Sequence, residues 1–182
     1  MRAVQGGDEA AFRLLYRRYE RRLLGFLIPY LGDPALAEDL LQETFLRVYR
    51  RRAAYEPRGA FRTWLFAIAR NLALDQIRRR RGSPEATPLP QEEGVAGTDP
   101  GLVPDPTPDP LGVLVERRTA AALRAALLDL PEADRAVILL SRLEGLRYHE
   151  IAEVLGSSEG AVKVRAHRAL LALRKRVRRE SL

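Results

Sequence analysis

The sequence contains no cysteine, which excludes disulfides, thiolate catalysis and cysteine-ligated zinc together and fits a cytoplasmic protein. Two histidines among 182 residues are too few for a multi-histidine metal site, and no metal or cofactor is implied. No apolar run approaches the ~20 residues that cross a bilayer. The first residues, Met1-Arg2-Ala3-Val4-Gln5-Gly6-Gly7-Asp8, lack the apolar stretch of a signal peptide. Lysine is nearly missing as well: of 31 basic residues only Lys163 and Lys175 are lysines. Strand-like alternation is absent throughout, and no internal repeat is evident.

What is present is positive charge in blocks. The 31 basic and 24 acidic residues give a net charge of +7. Residues 1–81 carry 17 Arg and 9 acids, residues 82–110 carry 6 acids and no base, and residues 111–182 carry 14 bases and 9 acids. Two basic blocks therefore flank an acidic connector. Arginine donates a planar, two-pronged hydrogen-bonding fork and sheds water readily, which suits phosphate. A polyanionic partner is favoured.

The connector holds eight of the twelve prolines and cannot bury enough apolar surface to order itself. Extended as polyproline II at ~3.1 Å per residue, it would reach roughly 90 Å. The reading is all-α: a three- or four-helix domain over 1–81, a flexible acidic Pro-rich linker over 82–110, and a helix-turn-helix domain over 111–182. In the first domain Asp8 caps a helix with apolar positions Phe12, Leu15, Tyr16, Tyr19, Leu23, Phe26 and Leu27, expected to stop near Pro29 and Gly32. Asp33-Pro34 caps a second helix that buries Leu36, Ala37, Leu40, Leu41, Thr44, Phe45 and Val48. A third carries Phe61, Trp64, Leu65, Ile68 and Leu72 inward and ends in Arg78–Arg81. In the second domain, Leu111–Leu128 forms one helical segment and Pro131 opens another.

Tyr148 through Val162 has helix-turn-helix spacing, with small Ala152 at the crossing, Gly156 able to take the left-handed turn, and Ser157 or Ser158 as a cap. At 100° per residue Val162, Ala166, Ala169, Leu170 and Leu173 share the core face of the helix that follows. Gly160, Val164 and Arg168 lie opposite, with Lys163 and Arg165 on the flanks. That sorts into base-edge candidates and phosphate anchors for a major groove.

Taken together, the motifs resemble the small extracytoplasmic-function (ECF) group of bacterial sigma factors, in the sigma-70 family. The resemblance rests on Gly7-Asp8-Glu9-Ala10-Ala11-Phe12, on Ala37 through Tyr49 and Phe61 through Asn71 for region 2, and on Leu130-Pro131 and Tyr148 through Arg168 for region 4. It implies a non-enzymatic, cytoplasmic, nucleoid-associated subunit. Such a subunit binds the clamp helices and flap of core RNA polymerase, then reads and opens promoter DNA. It implies polymerase docking through Asp39, Gln42 and Glu43. Minus-ten contacts would come from the loop residues Tyr55, Arg58 and Gly59 and from Arg62, Trp64, Asn71, Arg78, Arg79 and Arg80. Burial is the main expected role of Trp64. Minus-thirty-five contacts would come from Ser158, Glu159, Gly160, Ala161, Lys163, Val164, Arg165 and Arg168. The family often has Pro, Thr and Ser where this chain has Ser158, Ala161 and Val164. Val164 is suited instead to a thymine methyl. The resemblance further implies a separate anti-sigma factor, membrane-held in some arrangements.

Two other readings compete with this one. A stand-alone repressor would dimerise on a palindrome, and no dimer interface is evident. A hydrolase using Asp75, His149 or His167 lacks an adjacent nucleophile, a phosphate loop or a carboxylate cluster.

Overall fold

The computed structural model describes residues 1–56, 60–82 and 121–180. They form α1 (Arg2–Gln5), α2 (Glu9–Leu31), α3 (Pro34–Arg50), a 3-10 turn (Arg52–Ala54), α4 (Phe61–Arg80), α5 (helical residues 121–128), α6 (Glu132–Arg142), α7 (Tyr148–Leu155) and α8 (Glu159–Glu180). Among the described residues there is no strand, and the chain is all-α. The acidic connector and the first half of the 111–128 segment lie outside the described residues.

The helix starts follow from their caps. The Asp8 carboxylate accepts from the amides of Ala10 (2.8 Å) and Ala11 (3.0 Å), and Asp33 accepts from Leu36 N (3.1 Å) with Pro34 at the first helical position. Helix α2 ends at Leu31, within the expected stop near Pro29 and Gly32, and Pro29 lies inside its last turn. Pro29 has no N–H to donate to the Gly25 carbonyl, and Gly25 is exposed, which leaves that carbonyl open to solvent. Gly32, at φ 74°, ends the helix by donating to Ile28 O (2.8 Å).

Helix α4 is buried on more faces than a one-sided stripe provides. Leu65, Ile68 and Leu72 point into the core, but Phe66, Ala67, Ala69, Ala73 and Leu74 are buried too, while Phe61 and Trp64 are only partly so. The reason is that α4 packs on α2 and α3 on one side and on α7 of the second half on the other. Apolar residues all round a helix mean cover all round.

The two halves share one continuous core. Across the seam, the buried Arg62 of α4 donates to the Glu150 carboxylate (3.1 Å) and to Glu144 O (3.2 Å), and Arg22 of α2 donates to Glu144 Oε2 (3.0 Å). Among the described residues, Arg135 of α6 hydrogen-bonds to carbonyls and to no carboxylate. It donates to the carbonyls of Leu127, Leu128, Leu130 and Tyr30, the last at the C-terminal end of α2, where the helix dipole is negative. Leu128 lies against Gly32, where an added Cβ would sit 2.8 Å from Leu128 Cδ1.

Gly156 takes the left-handed conformation (φ 59°, ψ 47°) between α7 and α8, and an added Cβ there meets nothing within 4 Å. Gly156→Ala is therefore expected to destabilise through backbone strain alone, by about 1–2 kcal/mol, read from urea midpoints. Gly32→Ala carries the same strain and also displaces Leu128, so its loss should be the larger of the two.

Candidate polymerase and nucleic-acid interfaces

Three surfaces collect the residues singled out above. On α3, Glu38, Asp39 and Gln42 are exposed, and Glu43 is half-buried and paired with Arg47 (2.9 Å). One turn beyond Gln42 the stripe continues into Leu46, 49% exposed. An acidic row ending in an apolar knob suits docking to protein better than to nucleic acid. Leu46 was legible by exclusion, because Phe45 and Val48 already account for the buried face.

The second surface is the loop before α4 and α4 itself. Tyr55 is buried, with its ring centroid 4.9 Å from Trp64 and 5.9 Å from Phe61. Its carbonyl accepts from Gln5 Nε2 (2.6 Å). Tyr55 thus anchors the loop to an aromatic cluster. Arg58 and Gly59 lie outside the described residues. Trp64 is half-buried in the same cluster. Arg62, 8% exposed, faces the seam. Asn71 is buried; its Oδ1 accepts from Arg70 Nη1 (3.0 Å), and its Nδ2 and Asp75 Oδ1 have no partner among the described residues. At the end of α4 Arg78 is half-buried and Arg79 exposed, while Arg80 pairs with Asp33 (2.9 Å) and Arg81 with Glu132.

The third surface is the start of α8. Val162, Ala166, Ala169 and Leu173 are buried, with Leu170 partly so. Ser158, Glu159, Gly160, Lys163, Val164, His167 and Arg168 face out, and Ala161 and Arg165 are intermediate. Ser158 is the cap, its Oγ accepting from Ala161 N (3.2 Å). Lys163 pairs with Glu159 (2.7 Å), which holds the Glu159 carboxyl below its ordinary value. Arg168 is gripped from behind: its Nε (3.0 Å) and Nη2 (2.8 Å) donate to the two carboxylate oxygens of Asp134 on α6. Asp134 carried no local signal. Its partner lies 34 residues away, and no periodicity connects them.

An acidic helix face, an arginine-tipped helix and an exposed helix-turn-helix on one chain are surfaces suited to a protein partner and to nucleic acid. The chain matches the Sigma-70 region 2 family over residues 15–83 and the Sigma-70, region 4 family over residues 120–173. It is 37% identical over 179 residues to RNA polymerase sigma factor CarQ of Myxococcus xanthus, covering 96% of this chain and 93% of that protein. It is 33% identical over 188 residues to ECF RNA polymerase sigma factor SigW of Bacillus subtilis, covering 98% and 95%. Identity to ECF RNA polymerase sigma factor SigE of Mycolicibacterium smegmatis is 39% over 171 residues, spanning 92% of this chain but 63% of that relative. Among solved structures, CnrH in complex with the cytosolic domain of CnrY is similar, with a TM-score of 0.67 and 25% identity over 94% of this chain and 90% of that one. The chain belongs to the ECF RNA polymerase sigma factors, which direct transcription initiation and are not catalysts themselves. Among the described residues no helix is long and apolar enough to cross a membrane.

The seam and the exposed pair on α8 set three expectations. Arg62→Ala leaves Glu150 buried without its charge partner, so it should destabilise by up to about 3–5 kcal/mol. Lys163→Ala breaks only a solvent-exposed pair and should barely move the urea midpoint. Burial pushes the Glu144 carboxyl above its ordinary 4.5, with Arg22 and Arg62 opposing. A raised carboxyl holds its proton more tightly in the folded state, so its contribution is present below pH 4.5 and is lost as pH rises through the raised value. Glu144→Gln should therefore gain stability relative to the parent chain as pH rises across that window, measured by paired urea melts.

Proposed function

We propose that this chain docks on core RNA polymerase through the α3 face of Asp39, Gln42 and Glu43, extended by Leu46. In this reading region 2, over 1–81, recognises and helps open the minus-ten element through the loop of Tyr55, Arg58 and Gly59 and through Arg62, Trp64, Asn71, Arg78, Arg79 and Arg80. Region 4, over 111–182, reads the minus-thirty-five duplex through Ser158, Glu159, Gly160, Ala161, Lys163, Val164, Arg165 and Arg168. The observation that carries it is the exposed, capped first turn of α8, whose core face is fully used by Val162, Ala166, Ala169 and Leu173. A helix presented in this way fits a major groove.

The closed arrangement constrains the mechanism. Promoter elements two duplex turns apart lie roughly 70 Å from one another, whereas here α4 packs directly on α7. Engaging both elements at once therefore requires the seam to part, with the linker over 82–110 spanning the gap. Parting also frees Arg62, which faces Glu150 rather than solvent while the halves are closed. A separate anti-sigma factor that favours the closed form would act as inhibitor, and a membrane-held one would place the complex at the membrane.

The test is gel filtration of the chain with bacterial core polymerase. Stable 1:1 co-elution is expected, weakened at least about tenfold, or ~1.4 kcal/mol, by Asp39→Arg with Glu43→Arg. A chain that ignores core polymerase yet binds duplex DNA tightly would be a stand-alone regulator.

A further inference from the structure

The contact between α6 and α8 has a consequence for how Arg168 would meet DNA. Asp134 is 2% exposed, on the first turn of α6, where the helix dipole favours a negative group. Its two oxygens accept from Nε and Nη2 of Arg168, and Arg165 Nη1 approaches one of them at 3.9 Å. Yet the Arg168 side chain is 62% exposed. A guanidinium offers two parallel pairs of N–H groups, a side-on pair on Nε and Nη2 and an end-on pair on Nη1 and Nη2. Asp134 occupies the side-on pair, so the end-on pair remains to point outward.

We propose that Asp134 is a positioning residue. By holding the side-on edge of Arg168, it presets the end-on fork of Nη1 and Nη2 to meet a two-acceptor group on duplex DNA. The proposal rests on the reading of α8 as the DNA-facing helix. The acceptor pair is either guanine O6 and N7 at the groove floor or two oxygens of a backbone phosphate; both match a fork of parallel donors. Arg168 would otherwise sample many rotamers and lose that freedom on binding. A carboxylate already satisfied on the protein side fixes it beforehand, at the place where it is used. Lysine could not substitute, because an ammonium has no second fork to present once the first is engaged.

Simple charge counting makes the opposite forecast, which gives the test its edge. Asp134 is a negative charge on the DNA side of the domain, so Asp134→Asn should strengthen binding if charge alone matters. The experiment uses the full chain bound to core polymerase and a duplex library randomised in its upstream half, followed by titration of an enriched duplex. If Asp134 positions Arg168, Asp134→Asn weakens binding about tenfold, approaching Arg168→Ala, and the double variant is no worse than Arg168→Ala. Arg168→Lys, which keeps the charge and loses the fork, shows a similar loss and guards against an Asp134→Asn chain that fails to fold. A merely structural contact would move the urea midpoint without removing a DNA contact.

The salt dependence identifies the acceptor. A slope reduced by about 0.9, with uniform loss across sequences, assigns a phosphate. An unchanged slope with lost preference at one guanine assigns the base edge. Tighter or unchanged binding by Asp134→Asn, additive losses in the double variant, or full binding by Arg168→Lys would overturn the positioning role alone. A parent chain that binds core polymerase but enriches no duplex would overturn the DNA reading of α8 and the proposal with it.

Discussion

The whole arrangement depends on how one buried cation is satisfied. Arg135 is 4% exposed, and among the described residues its hydrogen bonds all go to backbone carbonyls. Burial, aided by the neighbouring Arg81 charge, pulls its pKa below the ordinary arginine value, yet an arginine stays charged in protein surroundings. The four carbonyls must therefore stay where they are. Three of them shape the turn between α5 and α6, and the fourth, at Tyr30, belongs to the end of α2. The same guanidinium lies 5.7 Å from the centre of the Tyr30 ring. One side chain thus fixes the entry to the second half, caps the end of the longest helix in the first, and joins the two.

Around that point the seam is built from charges rather than from apolar surface alone. Arg62 and Glu150 are both nearly excluded from water, and Glu144 receives Arg22 on its carboxylate and Arg62 on its carbonyl. Buried pairs contribute little net stability but are costly to break halfway. A seam of this kind favours two states, fully closed or fully parted with every charge rehydrated, over a loosely sliding intermediate. In the proposed function, in which the two halves engage separated promoter elements, that all-or-none character is useful. A partner that solvates or captures one member of a pair destabilises the rest of the closure.

Much of the fold was legible because it is local. Asp8 and Asp33 announce helix starts, Gly156 announces the turn, and the apolar stripe of α8 fixes which of its residues face out. The stop expected near Pro29 and Gly32 falls at Leu31, because Pro29 only removes one amide from the last turns while Gly32 takes the left-handed conformation that ends the helix. The second buried face of α4 was hidden because Phe66, Ala69 and Ala73 are covered by a partner segment far away in sequence. Tyr55 and Arg62 were legible as chemistry but not as geometry. Both residue types suit DNA, and only the packed structure shows Tyr55 anchoring its loop and Arg62 turned to Glu150. Asp134 and Glu144 gave no signal at all, since a carboxylate in a first helical turn or a loop reads as ordinary surface.

The scarcity of lysine takes on a second meaning in this light. Read from sequence, the arginines pointed outward, toward a polyanion. In the structure Arg22, Arg62, Arg135 and Arg168 each bond inward, to carboxylates or carbonyls of the chain itself. Only a guanidinium can satisfy several fixed acceptors in one plane while staying charged, as Arg135 does with four. Only a guanidinium can turn one edge inward and keep another for a partner, as Arg168 does. Positive charge in this chain is therefore of two kinds, one spent on holding its halves together and one presented outward. Block arithmetic, which counts both alike, overstates how much of the +7 is free to meet DNA while the seam is closed.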